Sequence, residues 1–171
     1  VLMVNFSDDG ENTFQTNFSR YQEMYTGPES EPNRSLSQYI STISDGQVTV
    51  NTYFPQVVDN VFQPITIQGS ASAYPDASDG ARFVQQVITA AQNTSGLSFP
   101  SKLDSMRGDR YIDNLTIIVQ VDGNNAGGAF GSRKADWGEN QTLLHGWHVG
   151  AYNVLPTNML RLGTNYDQGY A

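Results

Sequence analysis

The sequence predicts an α/β domain, built on a twisted, mostly parallel sheet of four or five strands with one antiparallel edge strand, packed by about three helices. Three observations predict it. Apolar residues recur at spacings of three and four in three separate stretches, around Phe14 to Tyr25, Leu36 to Ile43 and Ala81 to Ala91. Two short runs, Val1 to Phe6 and Leu115 to Val121, are nearly all apolar, as strands covered on both faces are. These helical and strand patterns alternate along the chain, with no internal repeat and no low-complexity tract, so one layered unit over residues 1–171 accounts for them.

Residues 1–6 form the first strand, ended by the turn signal Ser7-Asp8-Asp9-Gly10. Phe14, Phe18, Tyr21 and Tyr25 then line one face of a helix, which Gly27-Pro28 ends because proline cannot continue it. Leu36, Tyr39, Ile40 and Ile43 mark a second helix, with Asn33 or Ser35 as its N-cap and Asp45-Gly46 as its break. Residues 47–54 alternate apolar and polar and predict a strand with one buried face. Residues 55–78 read as strand or irregular loop. A third helix starts near Ser78 or Asp79 and ends near Asn93 to Gly96. Leu115 to Val121 should occupy the middle of the sheet, residues 122–132 form a Gly- and Asn-rich loop, and residues 143–155 predict a further, aromatic strand.

Composition bounds the function. The net charge of -8, with only 9 scattered Lys and Arg residues, argues against nucleic acid and anionic membrane surfaces. No apolar stretch approaches the roughly 20 residues of a membrane span. The chain has no cysteine, which excludes disulfides, zinc–thiolate sites and cysteine nucleophiles. A cysteine-free chain rich in Asn, Gln, Ser and Thr and poor in Lys fits a bacterial exported protein, secreted or at the cell surface. It opens directly on a strand, without a signal peptide or initiator Met, and stops at Gly169-Tyr170-Ala171. Both ends are expected to be cuts in a longer chain.

Few residues suggest chemistry. The two histidines, His145 and His148, flank Gly146-Trp147, and on a strand a spacing of three points them to opposite faces. The glycine-rich stretch Gly127 to Gly131 lacks the Lys-Ser/Thr of a phosphate loop and reads as a lid or hairpin tip. Acidic groups cluster at Asp8 to Glu11, Asp76 to Asp79 and Asp109 to Asp113. They offer the oxygen ligands calcium takes, in no calcium-loop pattern, and read otherwise as solvated loops. No Gly-x-Ser-x-Gly elbow is present, and no carboxylate pair stands out.

Three stretches, in this order, resemble the N-terminal half of immune inhibitor A-like zinc metallopeptidases. They are Val1 to Asp8, Ser35 to Ile40 continuing through Ser44-Asp45-Gly46-Gln47-Val48-Thr49-Val50, and Arg110 to Val119. The stretch Leu144 to Val149 is similar to that family's His- and Trp-containing edge strand. The resemblance implies a zincin-like N-terminal subdomain, the upper wall of a cleft that hydrolyses peptide bonds with zinc-activated water. It implies peptide binding by strand addition along Leu143 to Val149, through Leu143, Leu144, His145, Trp147 and His148. The family's His-Glu-x-x-His is absent from residues 1–171, so the zinc ligands and general base are expected a few residues past Ala171 and the chain alone is expected to be inactive. A face left open by the missing helix would favour self-association. The competing expectation is a non-catalytic module of a bacterial surface protein that binds protein or carbohydrate through Trp137, Trp147 and its tyrosines.

Overall fold

The computed structural model describes residues 1–10, 12–27, 35–59, 61–100, 111–112, 114–121, 130, 133–136, 143–144, 146–149 and 151–157. Strand β1 (Leu2–Phe6) leads into helix α1 (Thr13–Thr26), then helix α2 (Leu36–Ile43). Three short strands follow, β2 (Val57–Val58), β3 (Val61–Phe62) and β4 (Ile65–Ile67), then two 3-10 turns and helix α3 (Gly80–Asn93). The chain continues through β5 (Tyr111–Ile112), β6 (Leu115–Val119), β7 (Arg133–Asp136), β8 (Leu143–Leu144), β9 (Trp147–Val149) and β10 (Ala151–Pro156). The fold is α/β, as the apolar periodicities predict.

The main sheet has the order β4-β1-β6-β10-β7. Its first four strands are parallel, and β7 closes one edge antiparallel to β10. β6 stands in the middle, where its nearly unbroken apolar sequence belongs. Helices cover both faces, so successive residues of β1 enter different cores. Leu2, Val4 and Phe6 pack with Ile117 and Val119 against the Phe83, Val84, Val87 and Ile88 face of α3. Met3 and Ile118 pack against Phe14, Tyr21 and Tyr25 of α1. This two-sided burial is why both strands read as continuous apolar runs rather than as alternations.

Local chemistry sets the helix ends. The Asn12 side chain accepts from Phe14 N at 3.0 Å and caps α1. Ser35 Oγ accepts from Gln38 N while Gln38 Oε1 accepts from Ser35 N, a capping box that starts α2. α2 stops where Asp45 and Gly46 turn left-handed, at φ 53° and 74°, with Gly46 N bonded to Ser41 O at 2.7 Å.

Two segments depart from expectation. Residues 47–54 form no strand: Val48 is 50% exposed, Tyr53 is 40% exposed, and no described strand lies beside the segment to complete a ladder. Val50, Thr52 and Phe54 are half-buried, and Phe54 meets Tyr25 and Phe18 edge-to-face. Residues 143–155 are not one strand. They divide into β8, β9 and β10; Gly146 takes φ 86° and turns the chain back between Leu144 and its partner Trp147, which separates β8 from β9. β8 and β9 join β5 in a separate small sheet, order β5-β9-β8, and only β10 enters the main sheet. No helix among the described residues is long and apolar enough to cross a membrane.

The α1 core carries a pH-dependent element of stability. Burial pushes the Tyr21 hydroxyl from 10 up to about 12. It does the same to Tyr25, against the opposing effect of that residue's hydrogen bond to Thr116. The folded state therefore holds these protons more tightly than the unfolded chain. Their contribution is present in full below pH 10 and is lost as the pH rises from 10 to about 12. Absorbance at 295 nm should show two of the nine tyrosines ionising together with alkaline unfolding rather than with the exposed set. A single uniform tyrosine titration centred at pH 10 would contradict this packing.

Candidate functional site

One terminal strand of the main sheet, β7, presents backbone groups on its outer side. β10 is placed by five register pairs to β6, from Tyr152↔Leu115 to Pro156↔Val119. Its other side carries β7, with Ala151↔Asp136, Tyr152↔Ala135, Asn153↔Lys134 and Val154↔Arg133. Among the described residues, no strand pairs the outer side of β7. Consecutive strand residues direct their N–H and C=O groups to alternate sides. Half of the β7 backbone groups therefore face away from β10, where an extended peptide can complete the ladder.

The side chains expected along the substrate edge lie elsewhere. Leu143 and Leu144 form β8, and Trp147 and His148 lie in β9. His148 pairs with both Tyr111 and Leu143, so β9 is the central strand of the small sheet and not an edge. Leu144 is buried against the α3 core with Ile112 and Val149, and half-buried Trp147 packs against the same cluster. His145 lies outside the described residues, as does Trp137. The antiparallel edge strand of the main sheet is β7, and of the segment Leu143 to Val149 only β8 is a terminal strand, in the small sheet. The physical reason is the reversal at Gly146, which pairs the His- and Trp-bearing segment with itself and with β5.

The carboxyl ends of the parallel strands offer a second polar region. The chain runs from β1 to one neighbour, β4, and later to the other, β6, so the strand order reverses between β1 and β6. Asn5, Asn12, Thr13, Thr66 and Gln120 gather there. Gln120 Oε1 accepts from Thr13 N and Thr13 Oγ1, both at 3.0 Å. Asn5 Oδ1 accepts from Thr66 Oγ1 at 3.0 Å, and Asp9 Oδ2 accepts from Phe6 N at 2.7 Å. These bonds tie the start of α1 to β1, β4 and β6, so the groups serve the fold.

Among the described residues no group of three His, Asp or Glu side chains comes together to hold a cation. Asp79 is held by Arg82, whose hydrogen bond keeps its carboxyl below the usual range. Asp109 and Asp113 lie outside the described residues. Of the glycine-rich stretch, Phe130 alone is described, and it is buried among Phe6, Tyr74 and Phe83. These residues supply no ligand set for zinc, and none of the chemistry of a bound metal is assigned to them.

Sequence reasoning missed β7 because Arg133-Lys134-Ala135-Asp136 contains no apolar alternation to mark it. It also missed Gln56 and Gln120, buried amides of a residue type that usually lies at the surface. The available signal for Gln120 was its place directly after the apolar run Leu115 to Val119. A scan against models of known protein families finds no match to the chain, and a search of curated proteins finds none either.

Proposed function

We propose that this chain is the peptide-binding N-terminal wall of a secreted bacterial zinc-dependent endopeptidase, whose zinc ligands lie outside residues 1–171. The observation that carries the reading is β7, an antiparallel strand at the end of a four-stranded parallel sheet, whose outer side no strand pairs among the described residues. A peptidase must hold its substrate extended so that one carbonyl is presented to the hydrolytic machinery, and strand addition does this without demanding a particular side chain. The three sequence stretches that resemble the metallopeptidase family support the same reading: two contain β1 and α2, and the third runs through β5 to β6. Activation of water by a zinc ion belongs to residues outside this chain. What residues 1–171 supply is the strand that orients the peptide. Alone, the chain binds peptide and does not cut it.

The test uses paired proline substitutions in β7. Of the consecutive residues Lys134 and Ala135, one directs its N–H toward β10 and the other toward the open side. Proline removes that donor, and a sheet edge tolerates it only on the open side. Of Lys134→Pro and Ala135→Pro, one should melt near the parent temperature yet bind a blocked, extended hexapeptide at least about tenfold more weakly, the loss of roughly one ladder hydrogen bond. If both folded variants bind as the parent does, peptide does not use β7.

A further inference from the structure

The opposite edge of the sheet carries a groove unlike the β7 flank. β4 is the other terminal strand of the main sheet and, among the described residues, pairs only with β1. Ser7 N donates to Ile67 O at 2.9 Å, which fixes the Ile67 carbonyl on the β1 side. Alternation then directs the N–H and C=O of Thr66 away from β1, and Gln68 N–H with them. Ile65 and Ile67 are buried in the α3 core, whereas Gln68 is exposed. Alongside runs a groove of about 460 Å3 between β4 and α3, lined by Thr66, Gln68, Gln86, Thr89, Asn93 and Thr94 among others. No lining side chain is charged. Gln86 is fixed in place by the Tyr74 hydroxyl, which donates to its Oε1.

We infer that this groove is a second peptide site, which takes a short extended segment of neutral or basic sequence by strand addition to β4. Backbone complementarity selects the conformation, because the outward groups of Thr66 and Gln68 recur at the two-residue spacing of a β ladder. Amides and hydroxyls along α3 suit polar side chains and peptide groups. Charge selects the sequence: a chain with 17 acidic and 9 basic residues disfavours both an acidic peptide and a second copy of itself. The segment must be short. Pro64 has no N–H to donate before the strand, and Gly69, at φ 106°, leaves the extended conformation after it. The site lies at the far edge from β7 and does not depend on the peptidase reading.

The test is a titration of isotope-labelled protein with acetyl-Thr-Val-Thr-Val-Thr-Lys-amide, followed through backbone amide resonances. Two isomers of this peptide, N-methylated on alternate residues, complete the set. The expected result is saturable shifts centred on Thr66 and Gln68 with the parent peptide. They should be retained with one methylated isomer and lost with the other, since only one edge of an added strand faces the protein. Thr89→Trp places an indole in the groove from an exposed helix position and should weaken binding at least about tenfold, with the melting temperature held. Three results would each overturn the inference: no shift at Thr66 and Gln68 up to millimolar peptide, equal binding by both methylated isomers, or sedimentation showing a dimer that perturbs these residues without peptide.

Discussion

Replacing Phe83 by alanine is expected to destabilise the fold by about 4 kcal/mol. Phe83 is fully buried and is one of four rings, with Phe6, Tyr74 and Phe130, that all contact one another. Its ring lies 5.0 Å from Phe130, 5.4 Å from Tyr74 and 6.1 Å from Phe6, centroid to centroid. The first two contacts are edge-to-face, the arrangement that adds most beyond burial alone. Truncation removes those contacts and leaves a cavity that β1 and α3 can close only by shifting, which the strand register opposes. Phe83→Leu should recover about half of the loss, because it restores most of the volume and none of the ring geometry. Urea unfolding checks both variants. A loss below about 1 kcal/mol in Phe83→Ala would mean that the rings do not meet as described.

Gln56→Leu should cost about 3 kcal/mol, although it makes a buried residue more apolar. Gln56 is 1% exposed, and its side chain acts as a short strand beside β1. Its Oε1 accepts from Met3 N at 2.5 Å, and its Nε2 donates to Met3 O at 2.8 Å and to Gln63 O at 2.9 Å. The pairing of β1 with β4 begins only at Val4, so the amide satisfies backbone groups that the ladder does not reach. Leucine fills the same space and leaves those groups buried without partners, at about 1 to 3 kcal/mol each. The effect should appear as earlier unfolding with an unchanged denaturant slope. A neutral result would show that water reaches Met3 and replaces the amide.

These two residues mark what was and was not legible in the sequence. Phe83 belongs to a helix whose apolar spacing identified it. The same holds for Phe14, Tyr21 and Tyr25 in α1, and for the double-sided runs of β1 and β6. Where a periodicity reports a face that is in fact buried, the sequence is sufficient. The segment 47–54 shows the converse: alternation is necessary for a half-buried strand, but a neighbouring strand must also be present, and that is a property of the whole fold. Gln56 could not be read because its role depends on where β1 starts to pair. β7 could not be read because β10 places it, and β10 itself was merged with β8 and β9 in one apolar, aromatic segment. The main sheet has the antiparallel edge strand that was expected, at β7, while Leu143 and Leu144 form the terminal strand of the small sheet and the His- and Trp-bearing β9 pairs with β5.

The two peptide edges can be separated in one titration, because β7 and β4 stand at opposite ends of the sheet. Shifts at Lys134 and Ala135 report the proposed substrate strand, and shifts at Thr66 and Gln68 report the second groove.

The most direct test of the central claim is zinc content, measured on the protein translated from the whole open reading frame and on residues 1–171 alone. The expected result is a His-Glu-x-x-His motif within about ten to twenty residues after Ala171, about one zinc per full-length chain, and none on the shorter one. A reading frame without that motif, or equal zinc in both proteins, would contradict the assignment of this chain as the peptide-binding wall of a zinc peptidase.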